Sequence, residues 1–121
     1  MELEALRLHC LSLPETTEGF PFGEGALVLK VSGKMFFLIA LDNIPPSCNF
    51  KHPPERGEEL RERWPALGPG YHMNKTHWST LQLDGSVPES EIRTWVVESW
   101  RSVVAGMSKK RQAELLAQID S

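Results

Sequence analysis

An α+β fold, an antiparallel sheet backed by N-terminal and C-terminal helices, is predicted by three features of this sequence. Two strand-like runs, Leu27-Val28-Leu29-Lys30-Val31 and Met35-Phe36-Phe37-Leu38-Ile39, are separated only by Ser32-Gly33-Lys34, which marks a β-hairpin. Ile92, Trp95, Val96, Ser99, Trp100, Val103 and Val104 make a continuous stripe at helical spacing, long enough to lie across a sheet. The order helix, strands, short helix, strand, helix, helix is that of a sandwich with helices on one side. At 121 residues the chain fits one domain, 1–121, large enough to bury a real core.

Taken in order, Leu3, Leu6, Cys10 and Leu13 recur at helical spacing and Pro14 forbids continuation, so a helix is expected over residues 2–12. Phe20-Pro21-Phe22-Gly23-Glu24-Gly25 is turn chemistry with two anchoring aromatics. The hairpin strands follow at 26–31 and 34–41. Leu27, Leu29 and Val31 point one way, Val28 and its cross-strand partners the other, and both faces are apolar. An antiparallel sheet with one wet face alternates more cleanly, so another element or a partner must cover the second face. Ser47-Cys48-Asn49-Phe50-Lys51 reads as a third strand, with Pro45 and Pro46 placing its start near a sheet edge. Pro53 and Pro54 open a short, very polar helix ending near Arg63, and Pro65 to Gly70 forms a loop. A further strand is expected over 77–83, closed by Asp84-Gly85. Pro88 suits the first turn of the long helix, 88–104. Gly106 stops it, and Ser108 caps a last helix over 109–119.

Composition excludes several classes. Thirteen basic and sixteen acidic side chains give a net charge of −3, against a protein that coats nucleic acid by bulk charge. The charge is uneven: residues 51–80 come to +1 and also carry His52, His72 and His77. Met35 to Leu41 is the longest apolar stretch and is far too short to span a bilayer, so no membrane partner is expected. The acidic start, Met1-Glu2-Leu3-Glu4, is unlike a signal peptide, and a cytoplasmic location is expected. In that compartment Cys10 and Cys48 are expected as free thiols.

Catalytic signatures are absent. There is no Gly-x-Ser-x-Gly elbow, and Cys10 falls on the apolar stripe of the first helix. Gly23-Glu24-Gly25 precedes a strand, where a dinucleotide loop must open a helix. Cys48, His52, His72 and His77 are residue types that zinc accepts, but a structural site usually begins with a closely spaced Cys pair. No catalytic residue, metal or cofactor is therefore expected. Glu58, Glu59 and Glu62 lie among Arg56, Arg61 and Arg63 as a self-paired helix face. Basic and hydrogen-bonding residues remain at strand ends and turns: Lys30, Lys34, Lys51, Asn74, Lys75 and His77. Lysines at hairpin tips suit contacts to phosphate oxygens. Lys109, Lys110 and Arg111 open the last helix, where the macrodipole disfavours cations.

Phe20-Pro21-Phe22-Gly23, Val31-Ser32-Gly33-Lys34-Met35-Phe36 and Pro69-Gly70-Tyr71-His72-Met73-Asn74-Lys75-Thr76-His77-Trp78 resemble the MmcQ/YjbR family. Leu83-Asp84-Gly85-Ser86-Val87-Pro88, Ser99-Trp100 and Ser108-Lys109-Lys110-Arg111 continue the likeness in order, over nearly the whole chain. The resemblance implies a CyaY-like two-layer sandwich and a DNA-binding protein of double-wing type. Trp100 stands where the family pattern has Tyr, which changes the available hydrogen bond but not the packing role. Frataxin-like iron handling would need a dense acidic ridge, and Glu2, Glu4, Glu15 and Glu18 are too few and too spread. The expectation is weak, salt-dependent DNA binding through Lys30, Lys34, Lys51, Asn74, Lys75 and His77. The alternatives are a protein-interaction domain, or self-association, using the apolar sheet face, and a small-molecule enzyme or binder near His72, His77 and Cys48.

Overall fold

The hairpin predicted from Ser32-Gly33 closes as expected, because both residues take positive φ, 48° and 82°, as a two-residue type I′ turn requires. The computed structural model describes residues 1–71 and 73–119. In chain order they form α1 (Leu3–Leu11), β1 (Thr16–Gly19), β2 (Ala26–Val31), β3 (Lys34–Ala40), β4 (Ser47–Lys51) and α2 (Pro54–Arg63). Then come β5 (Leu67–Pro69), β6 (Trp78–Gln82), α3 (Glu89–Val104) and α4 (Lys109–Ile119). The six strands make one antiparallel sheet in the order β1-β2-β3-β4-β6-β5.

Two of these strands fall where only turns and loops are expected from sequence. Thr16-Thr17-Glu18-Gly19 has no apolar residue, and Leu67-Gly68-Pro69 is three residues long and contains proline. Both are edge strands, and their pairing comes from what β2 and β6 offer rather than from their own pattern. Pro69 lacks an N–H, which an edge tolerates.

A bulge in the hairpin sets the core. Leu29 pairs with Phe37 but Lys30 pairs with Met35, so Phe36 is an extra residue. Phe36 and Phe37 are in consequence both buried in the main core. Leu27, Leu29, Ile39, Cys48, Phe50 and Leu81 project from the same face onto Leu6 and Cys10 of α1 and the apolar stripe of α3. Phe50 stacks on Trp95, with ring centroids 5.4 Å apart, and Trp64 meets Trp95 edge-on at 6.1 Å. Trp100 is fully buried, and its indole N–H donates to the Pro14 carbonyl at 3.1 Å.

Ser99 joins α3 to the sheet at one point. The β3–β4 pairing stops at Phe37 and Phe50, although Phe36 and Lys51 stand next in register. The Ser99 hydroxyl occupies that gap. It accepts from the Lys51 N–H at 2.7 Å and donates to the Phe36 carbonyl. A polar residue in the middle of an apolar helical stripe is thereby accounted for.

Arg56 ties the polar helix α2 to α3 through a bidentate pair with Glu98, both bonds 3.0 Å, as well as pairing with Glu59 at 2.7 Å. Arg111 likewise has an internal role. It reaches from the first turn of α4 to Glu15 and Ser32, so a tertiary ion pair offsets its unfavourable place on the helix dipole.

The Ser99 bridge yields a stability prediction. Ser99→Ala leaves a buried carbonyl and a buried N–H without partners, which costs about 2–4 kcal/mol. Urea unfolding checks this. An unchanged midpoint would show that water or strand closure satisfies both groups instead.

Candidate functional site

The face of the sheet opposite α1 and α3 carries no helix, yet it is apolar. Register assigns Ala26, Val28, Met35, Leu38, Ala40, Ser47, Asn49, Trp78 and Thr80 to it. Val28, Leu38 and Trp78 are buried there but stand outside the main core cluster. Their cover comes from the β1–β2 loop, which carries Phe20 and Phe22, and from the 70–77 loop, which carries Tyr71 and Met73. Gly70 belongs at the foot of the second loop, because a Cβ there would press on Trp78.

A cavity of about 590 Å³ opens between the two loops. Phe22, Met35, Leu38, Ala40, Tyr71 and Met73 give it apolar walls, and Ser47, Asn49 and Thr80 line it as well. A second hollow of similar volume adjoins it toward Ile44, Pro65 and Pro69, sharing Asn43, Ser47, Tyr71 and Thr80. Ile44 is almost wholly exposed at that rim, and Phe22 and Tyr71 are mostly exposed.

The polar residues of the cavity form two short chains. The Tyr71 N–H donates to Thr80 Oγ1 at 2.8 Å, and the Thr80 hydroxyl donates to Asn49 Oδ1. Asn43 Nδ2 donates to Ser47 Oγ at 2.9 Å. Asn49 is 8% exposed and Ser47 4%. Asn49 Nδ2 and the Ser47 O–H donate to no described residue.

The basic residues singled out in the sequence gather at one end of the sheet. Lys30 on β2 and Lys51 on β4 take open-face positions roughly 10 Å apart, two strand spacings. Lys34 follows the β2–β3 turn at the same end. The 70–77 loop also reaches this end, since Trp78 pairs with Lys51. Lys51 and His77 border one shallow cleft, and the His52 N–H donates to the His77 carbonyl at 2.9 Å. Two of the candidates have internal work. Lys75 Nζ donates to the Gly70 carbonyl at 3.1 Å, and Asn74 Oδ1 accepts from the Thr76 and His77 N–H groups. Each therefore shapes its own loop.

The zinc-accepting residue types are differently disposed. Cys10 and Cys48 are free thiols in the core, and burial pushes the Cys10 pKa up to about 12 and that of Cys48 higher. His52 is 1% exposed, with Nδ1 2.9 Å from the Pro53 carbonyl and Nε2 2.7 Å from Ser79 Oγ. Arg61 also donates to Ser79 Oγ, at 2.8 Å. The chain of partners fixes the tautomer: Nδ1–H donates to Pro53, and Nε2 accepts from Ser79. A Ser–His pair at this distance invites comparison with a nucleophile and base, but Ser79 is fully buried and no substrate reaches it. Gly57 packs on the imidazole where a Cβ would overlap it. Among the described residues no three His, Cys, Asp or Glu side chains gather as metal ligands would, and His72 lies outside them. No described helix is long and apolar enough to cross a membrane.

Comparison with known proteins adds to this geometry. The family model described as YjbR matches residues 11–102. The chain belongs to the YjbR family. Among YjbR-type relatives, Uncharacterized protein YbdF of Escherichia coli O157:H7 is 33% identical over 109 residues, covering 90% of this chain and 89% of the relative. Uncharacterized protein YjbR of Escherichia coli K12 is 30% identical over 119 residues, covering 98% of this chain and all of the relative. A crystal structure of a Deinococcus radiodurans protein, assigned to domain DUF419, superposes with a TM-score of 0.86. It shares 39% identity and covers 93% of this chain and 86% of its own. A Pseudomonas syringae crystal structure, at 23% identity and TM-score 0.72 over 84% of this chain and 98% of its own, shares the fold.

The cavity residues Phe22, Met35, Asn49, Tyr71, Met73 and Thr80 were not legible as a site in this YjbR-family sequence. The available signal was the second apolar hairpin face, which indicated a covered surface without naming the loops that cover it.

His52 gives a pH prediction. Burial lowers its pKa below the ordinary value of 6.5, so the folded state holds it neutral while the unfolded chain takes up a proton. Its contribution is complete above pH 6.5 and is lost as pH falls from there toward the depressed folded pKa. The lowered carboxyl pKa values of Glu15 and Glu18 act in a separate window, below about pH 4.5. Urea midpoints measured from pH 7.5 down to 5 are expected to fall for the wild type and to stay flatter for His52→Gln. Parallel curves for the two proteins would remove His52 as the cause.

Proposed function

We propose that the protein is a non-enzymatic DNA-binding domain that contacts phosphates through lysines at one end of the sheet. One observation carries the reading: among the described residues every ion pair is made by an arginine, and none by a lysine. Arg7, Arg56, Arg93 and Arg111 direct their charge at carboxylates of the chain itself, so Lys30, Lys34 and Lys51 supply cationic surface at this end. Glu15, the carboxylate that contacts Ser32 of the β2–β3 turn, is engaged by Arg111 and Gln118 and does not oppose them. The net charge of −3 therefore does not describe this region.

Two loops project at that end, the β2–β3 turn and the 70–77 loop, and they supply the two wings. Lys30, Lys34 and Lys51 contact phosphate oxygens, and Lys75 joins them with the N–H donors that Gly70 leaves over. His77 and the Asn74 amide N–H groups are the candidates for base edges. Few lysines are involved, so binding is weak and steeply salt-dependent.

A second reading has its own observation. The exposed Phe22, Ile44 and Tyr71 along the open face favour a protein partner seated on that face.

Fluorescence titration of duplex and single-stranded DNA, at low and moderate salt, tests the first reading. Lys30→Ala, Lys34→Ala, Lys51→Ala combined is expected to weaken binding across sequences and to lower the salt slope by roughly 2–3. Identical binding by both proteins, or no binding at low salt, would leave the partner reading ahead.

A further inference from the structure

We infer that the open-face cavity between the Phe22 and Tyr71 loops binds a neutral ring compound bearing a carbonyl oxygen. The inference is independent of the DNA reading, because Lys30, Lys34 and Lys51 do not line this cavity.

Volume comes first. About 590 Å³ lies within the range of small-molecule sites, and such sites are apolar with a few placed polar groups. The walls here have that character: Leu38 and Ala40 on the sheet, Met35 and Met73 as adaptable thioethers, and Phe22 and Tyr71 as flat faces. Charge comes next. No Asp, Glu, Lys, Arg or described His lines the cavity, so a charged ligand would be desolvated without a counter-ion. Neutral ligands meet no such penalty.

The polar groups then narrow the chemistry. Thr80 Oγ1 both accepts, from the Tyr71 N–H, and donates, to Asn49 Oδ1. The Asn49 amide oxygen is thus engaged, and Nδ2 has no partner among the described residues, on a side chain more than nine-tenths buried. Ser47 Oγ accepts from Asn43 and keeps its own proton to donate. Both free groups are donors. Water reaches the Asn49 amide in the open cavity, and a ligand that displaces that water loses affinity unless it supplies an oxygen acceptor in its place. A carbonyl provides the acceptor without charge.

The test uses the full chain and three bicyclic probes: coumarin as the neutral carbonyl compound, naphthalene without an acceptor, and naphthoate with a charge. NMR titration follows the methyl groups of Met35, Leu38 and Met73. Coumarin is expected to shift these signals and to bind about tenfold more tightly than naphthalene, the value of one hydrogen bond. Naphthoate is expected to bind more weakly than either. Asn49→Leu should narrow the gap between coumarin and naphthalene, and Asn49→Leu combined with Ser47→Ala should close it. Ala40→Leu, which fills the cavity and spares the Asn49 chain, should remove both while leaving DNA titrations unchanged. The lysine triple variant should bind coumarin as the wild type does. Four results would each overturn the proposal: no binding by coumarin, equal affinity for coumarin and naphthalene in the wild type, shifts confined to another surface, or concentration-dependent shifts of the same methyl groups without ligand. The last would assign the cavity to a second copy of the chain.

Discussion

Ser99 holds the place on the sheet where β3 and β4 would otherwise close with a backbone hydrogen bond, and much of the architecture depends on that substitution. The bulge at Phe36 turns two consecutive phenylalanines toward the helices, which enlarges the core but throws the register out by one residue. Closure of the strands beyond Phe37 and Phe50 is then lost, and a carbonyl and an N–H are stranded in an apolar interior. Burying either without a partner costs more than a hydrogen bond usually contributes. One hydroxyl on α3 answers both, and in doing so it fixes where along its length the helix crosses the sheet. Trp95, one turn before Ser99, and Trp100, the next residue, can fill the core against Phe50 and Pro14 only because that crossing point is set.

The second constraint is an imbalance of layers. The sheet has two apolar faces, while α1 and α3 both pack on one of them. Water on Val28, Leu38 and Trp78 would be unfavourable, and the protein covers them with two loops instead of a helix. Loops cover less completely than a helix does. The space left over is the cavity, and its floor exposes amide and hydroxyl donors because Asn49, Ser47 and Thr80 occupy open-face register positions. A recognition surface thus follows from how the fold solves a burial problem.

Charge is divided by residue type in a way that has a physical basis. Arginine can hold a carboxylate with two parallel bonds, and Arg7 on Glu18 and Arg56 on Glu98 do so, joining α1 to β1 and α2 to α3. Lysine, a point charge on a flexible stem, is less suited to that work and remains at strand ends. Buried residues follow a different rule. Cys48 and His52 lie four residues apart on and just after β4, and both are buried, where burial disfavours their charged forms.

The sequence by itself determined the elements whose pattern is strong and local: the hairpin with its Ser-Gly turn, the stripe of α3, the Pro-bounded ends of α1 and α2, and the antiparallel α+β class. It also determined that the hairpin's second face had to be covered, and it carried the family likeness in Tyr71 to Trp78. Tertiary structure alone decided the rest. The strands at Thr16–Gly19 and Leu67–Pro69 exist because a neighbouring strand offers free backbone groups, which no pattern within three or four residues reveals. His52 reads in sequence as a residue type that zinc accepts and becomes a neutral core residue once Ser79, Pro53 and Gly57 close around it. Arg111 looks misplaced on its helix until Glu15, nearly a hundred residues away, supplies the partner. The cavity assembles from five separate segments of chain. Its residues are individually ordinary, and only their register across the sheet puts two donors without partners among the described residues at the bottom of an apolar hollow.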